Sequence, residues 1–224
     1  MWPDQKHYPN NRTRVTVKAE LRSWLFSSSK SLVIAGYASL GQLIELIDSQ
    51  NNSGNLRILL GDEPFDYQRK IITRPVQEEA RDYWLRKGLS IEQCPYISKA
   101  LRLIESGNVK FRFPNNESGH ICDSVHAKIY CSQKAALIGS SNFTAAGLTG
   151  RIEGNVVFYK SEEPKKFSET WGLAESIWQL GTDANDFIIG LLQQLLQFVT
   201  WQEALARSCI ELLEGRWVNE LLSQ

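Results

Sequence analysis

Short apolar runs alternate with amphipathic stretches in the first sixty residues, and this alternation limits the possible folds more than any other feature of the sequence. Residues 31–37 (SLVIAGY) and 56–60 (LRILL) have the length and composition of buried strands, and the apolar residues of 40–46 have helical spacing. A strand, helix, strand order is typical of an α/β layer. The pattern therefore predicts an α/β fold with a sheet flanked by helices.

The remainder of the chain extends this pattern and then changes to helix. Further strands are predicted over 109–113, 125–131, 135–138 and 153–159, and further helices over 15–25, 76–86 and 97–104. From Lys165 onwards the pattern is helical throughout, and the segment from Asp186 to Val199 is almost wholly apolar. Such a helix is buried in the fold or against another chain, and burial in the core is the favoured interpretation.

Composition excludes several classes of protein. Apolar residues make up 42% of the 224 residues, which is typical of a globular chain. No run approaches the roughly 18 apolar residues that a membrane helix needs, and the start MWPDQKHYPNNR is too polar for a secretory signal. We therefore expect a soluble, cytoplasmic protein that does not contact membranes and whose four cysteines are reduced.

Charge is balanced overall but segregated along the chain. The 25 basic residues equal the 25 acidic residues, yet residues 161–224 contain ten acids and four bases. The earlier residues therefore hold 21 bases and 15 acids, a net charge of +6 that would favour a polyanion. Solvated faces of both signs explain the same distribution equally well.

A histidine and a lysine stand two residues apart in one predicted strand. Alternation along the strand places His126 and Lys128 on the same face. The next strand ends in the turn GSSN at 139–142, which presents hydroxyls, an amide and free backbone N–H groups. Glu153 then opens the last predicted strand, where it shares a face with Asn155. Taken singly, each of these features has an ordinary structural interpretation.

Together, HAK at 126–128, GSSN at 139–142 and Glu153 resemble the H-x-K, G-S-x-N and trailing Glu pattern of the phospholipase D superfamily. The string HAKIY…IGSSNFTAAGL is most similar to its single-motif nuclease branch, which includes metal-independent restriction endonucleases and domains of Swi/Snf-type helicases. The resemblance implies a phospholipase D-like mixed β-sheet flanked by helices. It departs from the family at Gln133, where an Asp is usual, and this puts structural support of that loop in doubt.

The resemblance also suggests how the chain is divided. It covers 31–180, which we expect to be the phospholipase D-like catalytic domain. Residues 1–30 are then an N-terminal helical lead-in, and 181–224 are a helical C-terminal extension without a counterpart in the family.

The chemistry of these side chains suits cleavage of a phosphodiester. Glu153 would orient His126 so that its Nε2 attacks phosphorus, and water would then hydrolyse the phosphohistidine. Lys128, Asn142 and Ser140 would hold the non-bridging oxygens. The catalytic residues are predicted to be His126, Lys128, Asn142 and Glu153, and the substrate-binding residues Lys128, Ser140, Ser141, Asn142 and Asn155. Because ammonium groups supply the charge, we expect no metal and no other cofactor.

Such a reaction needs a second acid, because the attacking histidine cannot protonate the leaving oxygen at the same moment. His7 and His120 have no H-x-K neighbour, so we expect a homodimer in which a second His126 supplies the proton. The predicted function is that of a metal-independent DNA endonuclease in a restriction, defence or helicase-associated system, with a helicase or methyltransferase as a further partner and RNA as the other candidate substrate. Two alternatives stay open, namely a catalytically degenerate nucleic-acid-binding module and, further behind, a phospholipase or phosphatidyl transferase.

Overall fold

The computed structural model describes residues 4–12, 15–50, 54–61, 94–114 and 125–197. The strands within these ranges are β1 (Lys30–Ala35), β2 (Asn55–Leu60), β3 (Val109–Pro114), β4 (Lys128–Ser132), β5 (Ala135–Gly139), β6 (Asn155–Tyr159) and β7 (Gly181–Asp183). The helices are α1 (Val17–Trp24), α2 (Leu40–Asp48), α3 (Cys94–Glu105), α4 (Pro164–Gln179) and α5 (Asn185–Gln197), and a π-helical turn spans Ala146–Gly150.

The seven strands form one mixed sheet in the order β6-β5-β4-β1-β2-β3-β7. Strands β1, β2 and β3 are parallel neighbours, whereas β4, β5 and β6 continue from β1 in antiparallel pairs and β7 is antiparallel to β3. Because β1 is paired on both sides, five of its six residues are buried, as its apolar sequence requires. The predicted α/β class, a mixed sheet flanked by helices, is confirmed.

Helices pack on both faces of this sheet. Helices α1, α2, α3 and α5 bury their apolar sides in one core, and α4 buries Phe167, Ala174 and Trp178 in a second core on the opposite face. Four side chains of α5 lie in the first core, namely Ile188, Leu191, Leu192 and Leu195. Burial of this apolar helix in the core, the favoured interpretation, is therefore confirmed for its described residues.

The structure corrects several predicted boundaries. Helix was predicted throughout from Lys165 onwards, and this is wrong at β7, a three-residue edge strand too short to leave a pattern in the sequence. Strands β4 and β6 begin at Lys128 and Asn155 rather than at 125 and 153. Strand β7 pairs with β3 and α5 packs in the first core, and the division of the chain into a domain at 31–180 and an extension from 181 stays a prediction.

Some predictions fall elsewhere in the chain. The helix expected over 76–86 and the end of the helical extension, 198–224, lie outside the described residues.

Among the residues that are described, no helix has the length and apolar character needed to cross a bilayer. Cys131, on β4, is a free thiol, and its burial raises its pKa to about 12.

An ion pair between β2 and α4 closes the second core. Arg57 donates two hydrogen bonds to the Glu175 carboxylate, at 2.7 and 2.5 Å, and the Trp171 indole N–H donates a third at 3.1 Å. The guanidinium of Arg57 also lies 5.5 Å from the centroid of the Trp178 ring. The hydrogen bonds from Arg57 lower the pKa of Glu175 more than any other interaction does. This pair therefore fixes α4 on the sheet in a pH-dependent way.

Replacing Glu175 by Gln should lower the free energy of unfolding at neutral pH. Because the folded-state pKa of Glu175 lies below its unfolded value, the stabilisation is complete above the unfolded pKa and is lost as pH falls through the folded one. In urea unfolding, the difference between wild type and Glu175→Gln should thus shrink below about pH 4. Glu169→Gln, an exposed carboxylate on the same helix, is the control. Equal losses in both variants, or a difference independent of pH, would contradict this assignment.

Candidate active site

The topology brings the predicted site residues to one edge of the sheet. Because β4 is antiparallel to β1, Lys128 at the start of β4 pairs with Ala35 at the end of β1. In the same way Gly139 at the end of β5 pairs with Asn155 at the start of β6. Residues just beyond these ends, although up to 27 positions apart between His126 and Glu153, therefore meet at this edge.

His126 and Lys128 are in direct contact. The Lys128 ammonium lies 2.7 Å from Nε2 of His126 and also donates to the His126 carbonyl oxygen at 3.0 Å. An ammonium group only donates, so Nε2 must be the acceptor and the neutral ring carries its proton on Nδ1. Lys128 is buried, whereas His126 is exposed. The Nε2 lone pair of an exposed ring is therefore bonded to a buried positive charge.

Two glycines make room for this pair. Gly36 follows β1, and a methyl group there would lie 3.2 Å from both His126 Cδ2 and Lys128 Nζ. Gly61 follows β2, and a side chain there would collide with the carbonyl oxygen of Val125, which precedes His126. Neither glycine is among the site residues predicted from the sequence, although a glycine directly after each apolar strand is a visible signal of close backbone approach.

Glu153 is joined to Ser140. The Ser140 hydroxyl donates to the Glu153 carboxylate and accepts from the Gly154 N–H at 3.0 Å, while the Ser140 N–H donates to the Gly154 carbonyl at 3.0 Å. Glu153 lies in the loop before β6 rather than in the strand, so it does not share a strand face with Asn155 as predicted. The loop places its carboxylate on the hydroxyl of the GSSN turn, and the hydrogen bond expected with His126 stays a prediction.

Ser141 and Asn155 point into the protein. Both are buried, and the Asn155 amide donates to the Ser141 hydroxyl at 3.0 Å while its oxygen accepts from the Ser141 N–H at 3.4 Å. The Tyr130 hydroxyl donates to the Ser141 carbonyl at 2.5 Å. These side chains thus brace the turn from behind, and the substrate-binding role expected for Ser141 and Asn155 stays a prediction.

Asn142 is held by backbone contacts around it. The N–H of Phe143 donates to the Tyr37 carbonyl at 3.1 Å, and the Ser39 N–H donates to the Phe143 carbonyl at 3.0 Å. On the other side, a methyl group on Gly147 would lie 2.5 Å from the Asn142 carbonyl oxygen, so the π-helical turn packs directly on this residue. The half-buried Asn142 is thus fixed between the segment after β1 and that turn.

Gln133 lies at the opposite end of β4. Its side-chain oxygen accepts from the Ser29 hydroxyl at 3.0 Å in the turn between β4 and β5. It lies five positions after Lys128, which corresponds to about 17 Å along an extended strand. An Asp at this position would therefore support a loop that is remote from His126 and Lys128. Gln133 still makes a hydrogen bond in that loop.

The other histidines contribute no described group to this edge. His7 contacts Asp4 at 2.7 Å and Glu162 at 2.9 Å, and the hydrogen bond with Asp4 is the main cause of its raised pKa. Glu162 follows β6 at the end of the sheet remote from His126. His120 lies outside the described residues. Within the described ranges no group of three or more His, Cys, Asp or Glu residues is arranged to hold a metal ion.

Comparisons with known proteins identify related folds. No protein-family model matches the chain, and no curated protein matches it. Among solved structures it is similar to the phosphatidylserine synthase of Haemophilus influenzae Rd KW20, with a TM-score of 0.53 and 14% identity over 88% of this chain and 44% of that one. It is also similar to Nuc from Salmonella typhimurium, a phospholipase D family member (TM-score 0.43, 18% identity, 72% and 86% covered), and to NucT from Helicobacter pylori (0.48, 10%, 75% and 90%).

At these identities the likeness is one of fold. The chain spans less than half the length of the synthase, with which it has the highest TM-score of the three. The mixed α/β sheet that the sequence resemblance implied is the fold found, and membership of the single-motif nuclease branch stays a prediction.

The space at Gly36 provides a test of this geometry. In Gly36→Ala the new methyl group should displace the His126 ring from the Lys128 ammonium, because a contact of 3.2 Å is too tight for both. We expect shifted ring resonances of His126 in NMR spectra and a loss of about 1–3 kcal/mol in unfolding free energy. Gly172→Ala in α4 meets nothing within 4 Å, so it should leave His126 unchanged and stabilise the helix by about 0.5–1 kcal/mol. Unshifted His126 resonances in Gly36→Ala would refute this account of the site.

Proposed function

We propose that this chain is a metal-independent phosphodiesterase, an endonuclease acting on DNA through a phosphohistidine at His126. The contact of 2.7 Å between the Lys128 ammonium and Nε2 of His126 is the observation that carries the proposal. It favours the one neutral tautomer in which Nε2 carries no proton, so that its lone pair can attack once Lys128 turns to a phosphoryl oxygen, and it places a positive charge where that oxygen would bind. A structural histidine on a sheet edge needs neither feature.

The first step is attack of Nε2 on phosphorus. A P–N bond forms, the P–O bond to one deoxyribose breaks, and Lys128 moves from Nε2 to the non-bridging oxygens as they gain charge. Asn142 is the other side-chain donor at this edge, because the single O–H of Ser140 is already donated to Glu153, and loss of one such positioned donor costs on the order of 10²-fold to 10³-fold in rate. Because these groups supply the charge stabilisation, the reaction needs no divalent cation.

Glu153 has the role of orienting the ring. Its carboxylate would accept a hydrogen bond from the Nδ1–H of His126 and stabilise the imidazolium character that develops during attack. The Ser140 hydroxyl, which donates to Glu153, holds that carboxylate at the edge of the sheet. In the second step water attacks phosphorus and gives its proton to the partner's His126, which lost one to the leaving oxygen in the first step, while the P–N bond breaks and the free imidazole is restored.

A proton must reach the leaving deoxyribose oxygen in the first step, and a symmetric homodimer supplies it. The partner's His126 would face the nucleophile across a two-fold axis, which places two Lys128 ammonium groups and two Asn142 amides around one diester. His7 is unsuited to this role, because its ring bonds two carboxylates at the remote end of β6. A restriction, defence or helicase-associated setting, with a helicase or methyltransferase as partner, belongs to the same proposal.

A second candidate function is phosphatidyl transfer on lipids. It is favoured by the fold shared with the phosphatidylserine synthase, and the chemistry at His126 would be the same. A third is a nucleic-acid-binding module without catalysis, suggested by Gln133. The position of Gln133, remote from His126, removes much of the reason for that alternative.

Purified protein should cut DNA in excess EDTA, and His126→Ala should abolish cutting while the protein still sediments as a dimer. Lys128→Ala and Asn142→Ala should each reduce the rate about 10²-fold to 10³-fold, because each removes a positioned donor. His7→Ala is the matched control and should cut as wild type does.

Four outcomes would overturn the proposal. Cutting that requires magnesium, or cutting that survives His126→Ala, would contradict the histidine mechanism. A protein that binds DNA without cutting it, with affinity that falls steeply with salt, would favour the non-catalytic module. Release of a lipid headgroup from phospholipid vesicles in place of DNA cutting would favour phosphatidyl transfer.

A further inference from the structure

The segment of residues 7–11 lies along β6 and both loops of the candidate site. The Val157 N–H donates to the His7 carbonyl at 2.8 Å, which extends the edge of the sheet. The Asn155 amide donates to the Pro9 carbonyl at 2.8 Å, and the Glu153 N–H donates to the Asn10 carbonyl at 3.1 Å. The backbone of the Glu153 loop is therefore bonded to a segment more than 140 residues earlier in the chain.

Asn11 makes the most demanding contacts of this segment. Its φ is +63°, and among the described residues it is the one non-glycine residue with a positive φ. Its amide donates to the Gly147 carbonyl and to the Arg151 carbonyl, both at 2.8 Å, and its oxygen accepts from the Val17 N–H at 2.7 Å. Asparagine tolerates this backbone conformation better than most residues, and here all its side-chain polar atoms are bonded.

The two carbonyls that Asn11 binds belong to the elements that hold the site. Gly147 lies in the π-helical turn that packs on Asn142, where a methyl group would lie 2.5 and 2.9 Å from the Asn142 backbone oxygen and nitrogen. Arg151 ends that turn, and Glu153 follows two residues later. Since Val17 is the first residue of α1, Asn11 links a helix in the main core to both loops.

We infer that Asn11 is a positioning residue of the active site, which sets the distance between Asn142 and Glu153 by joining their loops to α1. Asn11 touches neither the substrate nor the reacting atoms, and its effect passes through Gly147, Arg151 and the neighbouring Asn10. The kinetic consequence of this role rests on the proposed function. Its structural consequence rests on the hydrogen bonds alone.

Asn11→Asp is the test variant. It retains the oxygen that accepts from Val17, but it loses both N–H donors and places a carboxylate against two carbonyl oxygens. Asn185→Asp is the matched control, because Asn185 also accepts from one backbone N–H (Phe111, 2.7 Å) and donates to one carbonyl (Val109, 3.3 Å), at the β3 side of the sheet. The same substitution is thus made at two bonded asparagines, of which one adjoins the site.

In Asn11→Asp, kcat for DNA cutting should fall about 10²-fold, since displacement of positioned groups by about 1 Å has this effect. KM should change much less, and the Glu153 amide should exchange its hydrogen faster than in wild type. Asn185→Asp should retain the wild-type kcat and the wild-type exchange at Glu153. A folded Asn11→Asp with wild-type kcat and wild-type exchange would overturn the inference.

A second variant and a second readout keep the test decisive. If Asn11→Asp does not fold, Asn11→Gly replaces it, because glycine suits the positive φ. If neither variant folds, Asn11 is needed for folding, and the positioning role is overturned. If wild-type protein cuts no DNA, the proposed function fails. In that case the exchange rate at Glu153 and the ring resonances of His126 in Asn11→Asp decide the inference, and unchanged values would refute it.

Discussion

The hydrogen bond from the Lys128 ammonium to Nε2 of His126 is the interaction on which the rest of the account depends. A buried ammonium group can hold one geometry only if its backbone is rigid, and Lys128 is the first residue of a strand that is paired on both sides. The site also needs empty space, which Gly36 and Gly61 provide where the parallel strands β1 and β2 end. The candidate site therefore depends on the absence of a side chain at these two backbone positions.

The strand topology explains why residues distant in sequence share one edge. Antiparallel pairing of β1 with β4, β4 with β5 and β5 with β6 brings the start of β4, the end of β5 and the start of β6 together. The loops beyond these ends carry His126, Ser140, Asn142 and Glu153. Inward-facing contacts between Ser141 and Asn155 then brace the turn, so the exposed polar groups are supported by a buried polar pair.

Much of this could be predicted from the sequence, and the reasons for the failures are physical. Apolar runs such as 31–37 reveal buried strands, and the H-x-K and G-S-x-N motifs mark two loops that the sheet brings to one edge. Periodicity could not show that β4 and β6 begin later than predicted, because loop residues beside a strand can share its alternation. It could not reveal β7, which is held by pairing with β3, nor the role inferred for Asn11, two of whose three partners are more than 130 residues away.

The stereochemistry at phosphorus tests the central claim, a covalent intermediate on His126, most directly. A DNA substrate with a phosphorothioate of known configuration at the scissile position would be cut in water enriched in ¹⁸O, and the configuration of the product would be determined. Each in-line displacement inverts phosphorus, so attack by His126 followed by attack of water predicts net retention. Net inversion would show a single direct attack by water and would contradict the account.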